Sequence, residues 1–314
     1  MPGEESLKHI HQFVELVFKL FIGLLFIVWI YIMCICPLKV NAQNKGGIHA
    51  MTTPNSLQTQ LKNYILSDKV FEAESILKQL GKDAAPVLKE LTKSDNAQVR
   101  SNVLELAGEL SDVESCRLIL RLLDDPDSEV RNLAAFQVSK CSHQELIPDI
   151  ITALEKHKDS HTRGILSLQL GMIGNKAQIA VLRKYSQETE DPELRQQISL
   201  ALARLGNPDS RAELIQELGD VNLSVRYGAL KDCLYVQDNT LAAYFTPALE
   251  DLRNVVQISI PGEMPPVYAR MCDVAVTTME ALGYKFSFSA ETVHVRSHEE
   301  LDEARKIVSG LPKK

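Results

Sequence analysis

Apolar residues recur at i, i+3 and i+7 along most of this chain, in pairs of short stretches separated by Asx-rich turns. That period places them on one face of a helix. The stretch Asp125–Val138 shows the pattern: a turn, an acidic first turn, Val130-Arg131, then an apolar stripe. The same Arg position returns in Val99-Arg100, Thr162-Arg163, Leu194-Arg195 and Val225-Arg226, so the five Arg residues are 31, 32, 32 and 31 residues apart.

Other columns keep this register. Four positions before each Arg stand Asn96, Asp127, Asp159, Asp191 and Asn222, residues whose side-chain oxygen caps the orphan N–H groups of a first helical turn. Three positions after it stand Val103, Ala134, Leu166, Ile198 and Ala229, and seven after it Ala107, Val138, Leu170, Leu202 and Cys233. Eleven after it the residues Ser111, Ser142, Gly174, Gly206 and Gln237 suit a helix end. Nineteen after it Ile119, Ile150, Leu182, Leu214 and Phe245 mark a second apolar helix. Each unit therefore reads as helix, turn, helix, and no unit can bury its apolar face alone, so the stacked units are expected to share one continuous hydrophobic spine. The Arg itself is expected to bond to the Asx or to carbonyls of the neighbouring turn, joining unit to unit.

These columns resemble the HEAT-like repeat family, including its lyase-type members, with a D-x-x-V-R start and two antiparallel helices per unit. The resemblance spans roughly residues 57–283. It implies an all-α fold, a right-handed α-solenoid of HEAT-like helical repeats preceded by an N-terminal hydrophobic segment. Two departures from the family pattern stand out. The Gly eight residues after Arg is kept at Gly108 and Gly171 but replaced by Ser139, Ala203 and Leu234. The first unit, Leu61 to Leu91, has Lys69-Val70 in place of a clear Val-Arg, as capping units often do.

After Arg226 the next similar Arg is Arg270, and the extra residues include Val255–Ile260 and the stiff run Pro261–Pro266. A helix is expected over Val267–Leu282, ended by Gly283. Alternation around Phe286 and Phe288, and around Val293 and Val295, predicts two short extended pieces. Ser297 and Glu300 form a capping box, and a helix follows over Glu299–Ser309.

Leu20 to Cys36 carries no charge, a length at the border between a signal-peptide core and a membrane span. Val40 and Ala42 fit a cleavage site ahead of Gln43. The organisation expected is thus a signal peptide or membrane anchor over 1–42, a linker over 43–55, the repeat solenoid over 56–288 and a capping segment over 289–314. Residues 13–36 would hold the chain in a membrane if uncleaved. Flanking Lys residues favour an exported or outward-facing, periplasmic-type body; the alternative is a cytoplasmic product starting at Met51.

The net charge is −7, and the charges of residues 1–42 cancel, so the body is acidic. An acidic body argues against nucleic acid as a partner. Cys116, Cys141, Cys233 and Cys272 show no metal or disulfide spacing and are expected as buried thiols. His157 and His161 have ligand-like i, i+4 spacing, and the Asp159 cap should separate them. No catalytic residue, metal ligand or cofactor site is assigned. Some relatives are hydroxylases built on several His-Glu pairs, whereas only His298-Glu299 occurs here. The expected function is a non-enzymatic scaffold binding a protein partner on a concave face made by the second helices, with Arg117, Arg121, Lys184 and Glu217 among the candidate surface residues. The alternative is a bilin-lyase-like or other enzyme on the same scaffold.

Overall fold

Helices dominate the computed structural model, which describes residues 53–259, 265–289 and 292–313. The signal-peptide or anchor segment, most of the linker and the core of the Pro261–Pro266 excursion lie outside the described residues. Among the described residues no helix is long and apolar enough to cross a membrane.

The helices are α1 (Pro54–Leu66), α2 (Val70–Leu80), α3 (Ala85–Leu91), α4 (Ala97–Leu110), α5 (Val113–Leu122), α6 (Ser128–Val138), α7 (Ile147–Lys156) and α8 (Ser160–Ile173). They continue as α9 (Ile179–Glu188), α10 (Pro192–Arg204), α11 (Pro208–Leu218), α12 (Leu223–Val236), α13 (Thr246–Leu249), α14 (Met271–Ala281) and α15 (His298–Ser309). First helices stack on first helices in an unbroken column from α2 through α4, α6, α8, α10 and α12 to α14. Second helices α3, α5 and α7 form a parallel column beside it. This nearest-neighbour stacking is a solenoid.

The sequence columns explain the geometry. Asn96, Asp127, Asp159, Asp191 and Asn222 each cap a first helix, accepting from backbone N–H groups of its first turn. Val103, Ala134, Leu166 and Ile198 are fully buried and Ala229 is 1% exposed. The repeated Arg bonds to the turn and leaves the Asx to its cap. Arg100, Arg131, Arg163 and Arg195 donate to the carbonyls of Ser94, Asp125, His157 and Thr189, each 2.7 Å away and six residues back. Each therefore ties its own helix to the end of the preceding unit. Arg226 instead donates to the Pro247 carbonyl and to Asp251 in the turn ahead.

Four expectations need correction. Cys116 and Cys141 form a disulfide between α5 and the end of α6, with Cα atoms 5.6 Å apart, whereas Cys233 and Cys272 are buried thiols. The all-α body carries a two-stranded antiparallel sheet, β1 (Asn254–Gln257) with β2 (Tyr268–Arg270). That ladder takes the residues expected to start the next helix, so α14 begins at Met271 with Arg270 as its cap. The pieces around Phe286 and Val293 join no strand among the described residues; Phe286 and Phe288 stack on each other, ring centroids 5.1 Å apart. Lastly, the apolar core is two clusters instead of one spine. The first runs from Leu61 to Leu205, the second from Ala203 to Val308, and they divide along α10.

The first helices α8 and α10 approach closely at Gly171 and Ala201. A Cβ on Gly171 would lie 2.8 Å from the Cα of Ala201 and 2.3 Å from the Tyr235 hydroxyl, which donates to the Leu168 carbonyl at 2.6 Å. A leucine at Gly171 must push the two backbones apart, a cost of about 1–3 kcal/mol for overpacking. Urea denaturation of Gly171→Leu should show that loss; an unchanged midpoint would show the junction to be slack.

Candidate functional site

Two register columns face from each first helix toward the preceding one. Two positions after the Arg these are Asn102, Leu133, Ile165, Gln197 and Gly228; six after it they are Leu106, Gln137, Gln169, Ala201 and Asp232. In the earlier helices these residues fill the groove between neighbours. The Gln197 amide occupies the space a Cβ on Gly164 would need, and the Gln137 amide does the same at Gly108. Leu106, Gln137, Gln169 and Ala201 are all buried. At α12 the pattern breaks, for a Cβ on Gly228 would meet no atom within 4 Å.

The unfilled space is an open cleft of about 540 Å³ between α10 and α12, closed behind by α11 and the end of α9. It sits where the two core clusters divide. Glu213 and Glu217 of α11 and Asp232 of α12 line it, with hydroxyls from Ser186, Ser199, Ser210 and Ser224 and the cation of Arg195. Ser199 donates to Glu213 at 2.6 Å.

Asp232 stands in a column that is otherwise desolvated, and its acidity shows it. Burial, then the negative charge of Glu217, pushes its carboxyl up to about 6, with Lys231 pulling the other way. Burial and the neighbouring Glu213 and Asp220 push Glu217 up as well. Perturbed carboxyls that converge in a cleft mark a candidate functional site.

Of the four surface residues expected from the sequence, only Glu217 lies here. Arg117 and Arg121 line a shallower depression of about 210 Å³ between α5 and α7. Two of its cations are matched there: Arg117 pairs with Asp149 at 3.2 Å, and Lys156 with Asp124. Lys184 sits on α9, 5.7 Å from the Tyr185 ring centre. His157 ends α7 and His161 lies in the first turn of α8, so the turn separates them, with the His157 ring 3.7 Å from Asp124. The candidate cleft thus opens between first helices, with Glu213 and Glu217 of a second helix behind it. Gly228 and Asp232 were not singled out from the sequence, although the register that exposes them was in hand: a glycine and a carboxylate in groove-filling columns are the signal.

Residues 117–201 match the family model for HEAT repeats. No curated protein gives a significant match. Among solved structures, the chain is similar to the complex of CpcE and CpcF of phycocyanin lyase from Nostoc sp. PCC7120, at 16% identity over 88% of this chain and 100% of that one, TM-score 0.44. It is similar to YibA of E. coli at 17% identity over 86% of this chain and 100% of that one, TM-score 0.44. The likeness to human deoxyhypusine hydroxylase is 14% identity over 84% of this chain and 98% of that one, TM-score 0.33. No residue role is carried over from any of the three.

Proposed function

We propose, from the premise that this chain is a HEAT-like repeat protein, that it is a non-enzymatic scaffold holding a protein partner on its helical array, outside the cytoplasm. The observation that carries the reading is the open cleft between α10 and α12, with hydroxyls and carboxylates along an exposed helical surface. Such a groove suits a side chain presented by another protein, and the stacked helices beside it offer extended contact area.

Filling the groove tests this. Gly228→Gln installs the side chain that the preceding unit carries as Gln197 and removes a helical glycine, so stability should hold or rise by up to about 1 kcal/mol. Affinity capture with chemical cross-linking from the native source should recover a stoichiometric protein partner with the natural chain and lose it with the variant. Equal recovery by both would move the partner away from the cleft, and no partner for either would end the scaffold reading.

The raised Asp232 carboxyl favours a second reading, in which the same cleft performs general acid–base chemistry on a small substrate. That reading requires turnover that is lost in Asp232→Asn with the fold intact. A stable complex without turnover goes against it.

The Cys116–Cys141 disulfide supports export, because such bonds persist in oxidising compartments. N-terminal sequencing of the natively produced protein should give Gln43 if the leader is removed, or Met1 with membrane association if it anchors the chain. A start at Met51 or Thr52 with both cysteines reduced would place the protein in the cytoplasm instead.

A further inference from the structure

Among the described first helices Phe71 of α2 stands 84% exposed at one end of the array, and in two adjacent units Phe136 on α6 and Met172 on α8 are 50% and 45% exposed. Leu168, half-buried on α8, lies between them in the register, and Leu200, half-buried on α10, extends the row to the cleft, which it lines. Phe136, Leu168 and Leu200 occupy the same position in three successive units, five residues after the repeated Arg. In the next unit that position is Lys231, and beside it the cleft carries three carboxylates, Glu213, Glu217 and Asp232, with Arg195 as the cation in its lining. Of the other nearby cations, Lys231 lies 5.3 Å from the Tyr227 ring centre, and Arg204 is held by the Tyr235 carbonyl.

We infer that this face docks an amphipathic basic helix of the partner, its apolar side chains along the row and one Lys or Arg side chain in the cleft. The inference rests on the reading that the array binds protein. Geometry and charge select this occupant. Packed helices lie about 8–10 Å apart, and a helix advances about 10.5 Å in seven residues. A helix laid across the array therefore offers one apolar residue per unit at i, i+7 and i+14. Residue i+18 returns to the same face about 6 Å further on, which is where the cleft opens beyond Leu200. A cation there meets an excess of carboxylate whose charge burial disfavours, and it supplies the donors that the carboxylates and hydroxyls can accept.

The test uses the full chain and three fluorescein-labelled synthetic helical peptides. One carries Leu at i, i+7 and i+14 with Lys at i+18; the second has Glu at i+18; the third has Ser at the three apolar positions. Anisotropy titration should show the first binding at least tenfold more tightly than the others. Met172→Glu, and separately Gly228→Gln, should each weaken it about tenfold, with no fall in melting temperature for either. Equal binding of the three peptides, or no effect of either substitution, overturns the inference. A Met172→Cys chain that links oxidatively to its own Cys34 or Cys36 also overturns it, by giving the face to residues 20–36 of the same molecule. If capture from the native source still yields a partner while the peptides are not discriminated, the docking helix is wrong and the scaffold reading stands.

Discussion

Asp273→Ala should unfold the C-terminal cap first and lower stability by about 3–5 kcal/mol, the range for removing one partner of a buried ion pair. Asp273 is fully buried at the start of α14. It accepts from the Arg270 side chain at 2.8 and 2.9 Å, from the Arg270 backbone N–H at 2.8 Å and from the Arg296 backbone N–H at 2.9 Å. Burial alone would push its carboxyl up, but these donors hold it below the ordinary range. Arg296 is itself 3% exposed and donates to the Ser289 and Thr292 carbonyls, so the chain ahead of α15 is arranged around it. Removing the carboxylate leaves the Arg296 N–H without its acceptor and Arg270 without its counter-charge, holding only the Arg296 carbonyl at 2.8 Å. Hydrogen exchange should report the loss in α14 and α15 before α4 to α8. Asp273→Asn keeps the shape without the charge and should fall between the natural chain and the alanine variant. A loss under about 1 kcal/mol for Asp273→Ala would match an exposed pair and refute this account of the cap.

That cap shows how far the sequence could be read. The Ser297–Glu300 capping box was legible and forms, with the Ser297 side chain accepting from the Glu300 N–H and the Glu300 carboxylate from the Ser297 N–H. The Arg270–Asp273–Arg296 network was not, because no local pattern says that a residue of the loop will return to the first turn of α14. The repeat columns were readable because each capping Asx and each apolar stripe answers to its own turn of helix. Cleft and disulfide depend instead on what faces a residue across a junction. Gly228 reads as an ordinary weak helix position until its neighbour is known to leave it open space. Cys116 and Cys141 share no column, and their spacing follows no rule of composition. Their separation of 25 residues does recur, in the pairing of Arg100 with Asp125 and of Arg226 with Asp251. A step of that length falls six or seven residues short of one repeat, so it carries the chain from one helix to the far side of the turn that follows, where a side-chain bond can close the junction.

Asp125→Ala should therefore cost about as much at the other end of the array, again about 3–5 kcal/mol. Asp125 receives Arg100 through two hydrogen bonds of 2.7 Å, and the two side chains are only 2% and 8% exposed. By contrast the Lys62–Glu90 pair is 39% and 60% exposed, and its removal should cost about 0–1 kcal/mol. Acid gives an independent reading of the same bond. Burial would raise the Asp125 carboxyl, but the Arg100 hydrogen bonds and the Asp127 N–H hold it below its ordinary value. A depressed folded value means that the unfolded chain binds the proton first. The stability from Asp125 is thus complete above the ordinary aspartate value of about 4 and is lost as pH falls through the lower folded one. Asp232 works with the opposite sign: its folded carboxyl is raised to about 6, so its contribution is fullest below about 4 and disappears as pH rises through 6. Urea midpoints measured across this span should fall at the acid end in the natural chain and fall less steeply in Asp125→Ala, where Asp273 still contributes, while Asp232→Asn removes only the change near neutrality. An acid limb as steep in Asp125→Ala as in the natural chain would mean that other carboxylates, with Asp273 foremost, carry the acid sensitivity and that the first junction holds without its ion pair.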